Sequence, residues 1–246
     1  MSTPTETPDV ISSQALPSTH PGQPHTVTST IPSGDSASVA GQSVVSFVSG
    51  LSQQNREDVL NSTLYMQLRA NKKFDKAAQR EQWFKCYTDG LGTLGWTLSG
   101  SAIEAYEPSQ QSFTLDEVSL EIIEAVAGGA AFSPTMKKTF EALKHQPKAL
   151  EIFESHNAKS NMGMFQILPC VQSADGSVAM LLNCMQFSTN HLNYKVLFFT
   201  YKRNAVQIYR SAQVAVLDNT VYDRVRKDVL DELDKNARNF VAHLAI

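Results

Sequence analysis

The hydrophobic period of this 246-residue chain changes at Asn161, and no other feature limits its fold as much. Before that point apolar residues recur at three- and four-residue spacing, as on one face of a helix. After it they alternate, as on a half-buried strand. A helical half followed by a strand-rich half implies an α+β fold, with a helical N-terminal half packed on a C-terminal antiparallel β-meander that carries a helix and a closing strand. The predicted units are a disordered Ser/Thr/Pro-rich tail over 1–41, a mainly helical subdomain over 42–160 and a meander-plus-helix subdomain over 161–246.

Local signals place the elements. Ser52 is a helix cap, followed by Val59, Leu60, Leu64 and Leu68 at helical spacing; Asp75 caps a second helix carrying Trp83, Phe84 and Tyr87 and ending at Gly90. Trp96-Thr97-Leu98 reads as a short strand, with Ala102–Tyr106 as its hairpin partner. Thr114 and Glu117 form a capping box, and Ser133-Pro134 opens a further helix through Phe140 and Leu143. Beyond Asn161, Met164–Gln172 and Ser177–Ser188 flank the turn Ala174-Asp175-Gly176. Tyr194–Tyr201 and Ala205–Leu217 complete a predicted four-stranded meander. Asp218 then caps an amphipathic helix, and Phe240–Ile246 alternates as a closing strand.

The tail is set apart by composition. No Lys or Arg occurs before Arg56, and its only charges are Glu6, Asp9 and Asp35. Such a segment buries too little apolar surface to offset the entropy of ordering it. Removing those three acids from the total of 24 leaves 21 Asp and Glu against 21 Lys and Arg. A domain without excess positive charge argues against nucleic-acid binding. The N-terminus has neither the basic start nor the apolar stretch of a Sec signal, and no apolar run approaches the ~18 residues of a membrane-spanning helix. The expectation is synthesis in the cytoplasm, with export by a route that needs no such signal left open.

Chemistry-bearing motifs are few. Gly90-Leu-Gly92-Thr-Leu-Gly95 matches the dinucleotide fingerprint but follows a helix and precedes a strand, the reverse of the order that aims amides at a pyrophosphate; it reads as a cap and turn, and no cofactor is predicted. The histidines at 20, 25, 145, 156, 191 and 243 show no metal-ligand spacing. Cys86, Cys170 and Cys184 are odd in number and widely spaced, as free thiols in a reducing compartment are. Cys170 and Cys184 sit in strand patterns among apolar residues. They are candidates for holding an apolar ligand or an acyl group, and either, with His191, His156 or His145 and an orienting Asn or Asp such as Asn193, for nucleophilic catalysis. Arg69, Lys72, Lys73, Lys76 and Arg80 place five cations in twelve residues around the junction of the first two helices. That density suits an anionic membrane surface or an acidic partner, and equally a helix end complementing its macrodipole.

Three functions follow. The first is a non-enzymatic protein that binds a protein partner, with the tail as a flexible tether. The alternative is a secreted toxin or virulence effector, exported without a signal peptide, that contacts membranes or holds an apolar ligand near Cys184. The third is a cysteine-dependent hydrolase or transferase.

Overall fold

The computed structural model describes residues 34–246 apart from 100–101, 128–131, 160, 191–195 and 237–239. Its centre is three long antiparallel strands: β7 (Met162–Gln172), β8 (Val178–Thr189) and β10 (Val206–Leu217). The turn between β7 and β8 closes as expected, with Gly176 at φ +86° and its N–H donating to the Ser173 carbonyl at 3.0 Å. β8 and β10 pair from Val206 opposite Thr189 to Leu217 opposite Val178. Short strands extend this centre. β1 (Ser36–Ala40) and β2 (Ser43–Phe47) lie beyond β7, with β11 (Val241–Leu244) outside β1. β3 (Trp96–Leu98) and β4 (Glu104–Tyr106) both pair with β10, and β6 (Ala158–Lys159) pairs with β7. β2 runs parallel to β7, and β5 (Ser112–Phe113) with β9 (Tyr201–Lys202) forms a separate two-stranded ribbon.

Three expectations change here. The stretch Tyr194–Tyr201 is not a fourth long strand: Val196 and Leu197 are buried in a turn whose Leu197 carbonyl accepts the N–H groups of Leu115 and Asp116, and only Tyr201 and Lys202 extend. Its apolar content reflects burial rather than pairing, so β8 meets β10 directly. Glu104–Tyr106 pairs with β10 rather than with Trp96–Leu98. Finally, order begins before Gln42. Ser36–Ala40, placed with the tail on composition, is a fully buried strand between β2 and β11. One register partner, β2, is the next arm of a hairpin turning at Gly41 (φ +56°), and the other, β11, is distant in sequence; composition registers neither. The remaining tail expectation, for residues 1–33, lies outside the described residues.

Six helices cover the sheet: α1 (Gln53–Lys73), α2 (Arg80–Thr93), α3 (Leu115–Ala127), α4 (Ser133–Lys144), α5 (Pro147–Asn157) and α6 (Asn219–Asn236). Three of their starts follow the predicted chemistry, whereas α4 has Phe132 at the cap position with Ser133 already helical, and α2 has Gln79 there in place of Asp75. Asn55 N–H donates to Ser52 Oγ at 3.1 Å, Thr114 N–H to Glu117 Oε2 at 2.8 Å, and Thr220 N–H to Asp218 Oδ1 at 2.9 Å. α1, α2 and α6 cover one face, where Met164, Leu168, Cys170, Met180, Leu182 and Cys184 meet Leu64, Trp83, Tyr87 and Val229. α3, α4 and α5 cover the other, where Phe165, Ile167, Leu181, Met185 and Phe187 meet Ile122, Phe140, Leu143 and Phe153. Alternate residues of β7 and β8 therefore enter different cores, which is why their sequences are mainly apolar on both faces, with Gln166, Asn183 and Gln186 as buried exceptions.

Two buried charges tie the first layer down. Asp58, fully buried on α1, accepts from Arg226 of α6 in a two-pronged bond, Nε to Oδ1 at 2.8 Å and Nη2 to Oδ2 at 2.7 Å. Arg56, 1% exposed, donates to Ser36 Oγ at 2.5 Å, the Gly34 carbonyl at 2.9 Å and the Leu51 carbonyl at 3.1 Å, fixing the start of β1. Asp58→Asn is expected to cost about 2–3 kcal/mol in denaturant unfolding, moderated by the partial exposure of Arg226. A chain starting at Gln42 is expected to melt roughly 10 °C or more below one starting at Gly34, because it loses the buried side chains of β1; equal melting temperatures would show that β1 adds nothing.

Candidate functional site

The corner between α1 and α2 gathers the cations singled out above. α1 ends at Phe74, which turns to an extended conformation (φ −135°, ψ 138°). Asp75 then accepts the N–H groups of Ala77 and Ala78 at 2.8 and 3.1 Å, so it caps a tight turn and α2 starts five residues later, at Arg80. Trp83 anchors α2 to α1 through Nε1 to Asn71 Oδ1 at 2.8 Å and stacks on Tyr87 at 5.3 Å.

The five cations do not form one patch. Arg69 is 7% exposed, with its guanidinium 5.6 Å from the Tyr65 ring. Lys76 donates to Gln42 Oε1 at 2.9 Å and to the His156 carbonyl, linking the corner to α5. Arg80 lies over the Tyr209 ring at 4.9 Å. Lys72 and Lys73 are exposed in the last turn of α1. The linear count of charge thus overstates the surface charge, because three of the five side chains turn inward or onto neighbours.

Two hollows, each about 430 Å³, flank the ridge formed by Lys73 and Phe74. The first is a groove along the helix pair. α1 lines it with Met66, Arg69 and Lys73, and α2 with Gln82, Lys85, Cys86, Asp89, Gly90 and Thr93. These spacings put one stripe of each helix on either side. Gly90 lets the Met66 thioether lie directly on the α2 backbone, since a Cβ there would meet the Met66 methyl and push it aside. Lys85 and Cys86 were not singled out from sequence; the three- and four-residue spacing from Gln82 to Thr93 was the available signal.

The second hollow lies between Lys72, Asp75 and Lys76 on one side and Ser155 and His156 on the other. The His156 ring packs on Phe240 at 4.8 Å, and its Nδ1 sits 2.7 Å from the Ile152 carbonyl. Burial holds its pKa below the usual histidine value, the Ile152 carbonyl opposing and the nearby Lys76 ammonium adding to the fall. A folded-state pKa below the unfolded one means that this contribution to stability is complete above the unfolded value near 6.5 and declines as pH falls below it.

The cysteine candidates are placed otherwise. Cys170 and Cys184 are 0% and 1% exposed in the core under α1, α2 and α6. Burial pushes the Cys184 thiol up to about 12 and the Cys170 thiol further still, the opposite of an activated nucleophile. Neither lines the two hollows. His145 is exposed and bound to Glu141 at 2.9 Å, while His191 and Asn193 lie outside the described residues. Gly90–Gly95 closes α2 and turns into β3, with Gly95 at φ +95° packed on Asp218 and Val221. Among the described residues no group of three or more His, Cys, Asp or Glu is placed to hold a metal ion, and no helix is long and apolar enough to cross a membrane.

No protein-family model matches the chain, and no curated protein does. Several solved structures are similar. A delta-endotoxin is 16% identical with a TM-score of 0.43, covering 92% of this chain and 100% of that one. The activated Cyt2Ba monomer of Bacillus thuringiensis subsp. israelensis is 13% identical with a TM-score of 0.40, covering 72% and 96%. The Evf virulence factor is 9% identical with a TM-score of 0.38, covering 85% and 86%. At these scores the likenesses carry no functional weight.

Native alkylation is expected to modify Cys86 and to leave Cys170 and Cys184 unreacted until the chain unfolds, as read by peptide mass; fast labelling of either core thiol would contradict its placement. Between pH 7.5 and 5.5 the His156→Phe protein is expected to lose less melting temperature than the wild type.

Proposed function

We propose that this protein is a non-enzymatic, membrane-active protein of the toxin or effector kind. It meets an anionic lipid surface through the α1–α2 corner and presents its central strands to the bilayer when helices move off the sheet. The observation that carries the proposal is the set of three adjacent strands, β7, β8 and β10, of 11, 12 and 12 residues. Tilted strands of roughly 9–11 residues cross the hydrocarbon core. β8 buries apolar side chains on both faces, interrupted by Asn183 and Gln186, so removal of its helical cover leaves a largely apolar strand suited to lipid on one side and packed neighbours on the other. A spanning sheet must also satisfy all its backbone groups, so copies have to pair edge to edge.

The first helical layer is the one suited to release. Its contact with the sheet contains a polar seam: Gln67 Nε2 donates to Ser43 Oγ at 2.7 Å, and Ser43 Oγ to Gln166 Oε1 at 2.7 Å. In the same layer the Tyr87 and Tyr222 hydroxyls and Gln186 Oε1 are buried without a protein hydrogen-bond partner. Each such group costs about 1–3 kcal/mol, a cost that exposure to water or headgroups removes. Lys72, Lys73 and Lys85 stand exposed at the corner of this same layer. The cysteine-enzyme reading gains nothing from the buried, protonated thiols.

Dye release from anionic vesicles at low salt tests the proposal. Release is expected, together with edge-paired oligomers on the membrane. Lys72→Glu/Lys73→Glu is expected to slow release by about tenfold or more, since each cation near an anionic surface contributes about 1 kcal/mol. Intact vesicles at high protein concentration, or full release by the double variant, would count against it.

A further inference from the structure

The geometry points to the groove between α1 and α2 as a binding site for a single-chain anionic amphiphile, a fatty-acid carboxylate in monomeric form. The inference rests on the corner being the lipid-facing surface, and it adds a ligand that needs no membrane to bind.

The groove runs between two helix stripes, Met66 to Lys73 on α1 and Gln82 to Thr93 on α2. At 1.5 Å per residue the longer stripe extends roughly 16 Å, so the hollow is elongated. Its volume of about 430 Å³ lies within the ~300–1,000 Å³ typical of small-molecule sites. An extended alkyl chain fits such a trough better than a compact ligand does.

The three cations lie on the turn side of Met66 and Gly90. Nearest the α1–α2 turn stand the exposed Lys73 and Gln82, with Arg69, Lys85 and Cys86 about a turn further along. The groove holds one carboxylate, Asp89, which binds Lys85 at 2.8 Å on a surface more than half exposed at both residues. The local balance stays cationic. Toward the far end lie the Met66 thioether and Gly90, with Asp89 and Thr93 at the rim. A carboxylate at Lys73 would therefore lay its chain over Cys86 toward Met66 and Gly90. Long basic side chains suit this arrangement, since their methylene stems line the trough while their charges stay at the rim.

Cys86 reports directly on occupancy because it lies in the groove and is half-buried, whereas the other two thiols are sealed in the core. The probe is dodecanoate below its micelle concentration, added to the full chain during native alkylation of Cys86. Protection of Cys86 by at least fivefold is expected. Dodecyltrimethylammonium, with the same tail and the opposite head charge, is expected to protect less than twofold. Lys73→Glu/Lys85→Glu, both at exposed positions, is expected to lose the dodecanoate protection while keeping the wild-type melting curve. Unchanged Cys86 reactivity in dodecanoate overturns the inference, as does equal protection by the cationic amphiphile. Vesicle binding measured on the same samples separates the two readings: vesicle binding without protection by dodecanoate removes the groove ligand and leaves the membrane reading, and absence of both removes both.

Discussion

The two-sided burial of β7 and β8 is the constraint on which the rest of the structure depends. Because Met164, Leu168, Met180 and Leu182 face one way while Phe165, Ile167, Leu181 and Met185 face the other, neither face can be left to water. The sheet therefore needs a helical layer on each side, and the chain supplies three helices for each. The same requirement explains the topology. β1 and β2 come from before α1 and insert between β7 and β11, so the N-terminal residues complete a sheet whose centre is made more than a hundred residues later.

The two layers are not equivalent. The layer of α3, α4 and α5 meets the sheet mainly through aromatic and aliphatic side chains, with Phe153, Phe165 and Phe187 in successive ring contacts. The layer of α1, α2 and α6 adds directional polar contacts to its apolar core: Arg56 with the start of β1 and Gln67 with Ser43, while Asp58 and Arg226 join α1 to α6 within the layer. Apolar contact weakens gradually with displacement, whereas hydrogen-bonded pairs hold until broken and then re-form with water. A layer fastened in that way is the one the proposed function takes to release. The exposed lysines and the amphipathic groove both belong to it.

Much of this was legible in the sequence where local chemistry decides. Ser52, Thr114 with Glu117, Asp218 and the Ala174–Gly176 turn acted as their side chains require, and the reversed order around Gly90–Gly95 removed the dinucleotide reading. Pairing was less legible. Ser36–Ala40 has the composition of the tail and becomes a buried strand through its hairpin partner Ser43–Phe47 and the distant Val241–Leu244. Val196–Phe199 has the composition of a strand, yet Val196 and Leu197 are buried in a turn. Counting charge did not give the surface of the α1–α2 corner: Arg69 folds onto Tyr65 four residues back on the same helix, while Lys76 and Arg80 turn toward His156 and Tyr209, which no linear spacing brings near. The groove emerged only when the stripe of α2 was set beside that of α1.

The central claim is that α1, α2 and α6 leave the sheet at a lipid surface while the central strands stay paired. Hydrogen exchange of the full chain, free and bound to anionic vesicles, tests it most directly. The account predicts that on vesicles the backbone amides of β7, β8 and β10 keep their protection, while the α1–α6 contact around Asp58 and Arg226 opens and amides of α1 exchange faster. Protection unchanged across α1, or loss of protection in the central strands, would contradict it.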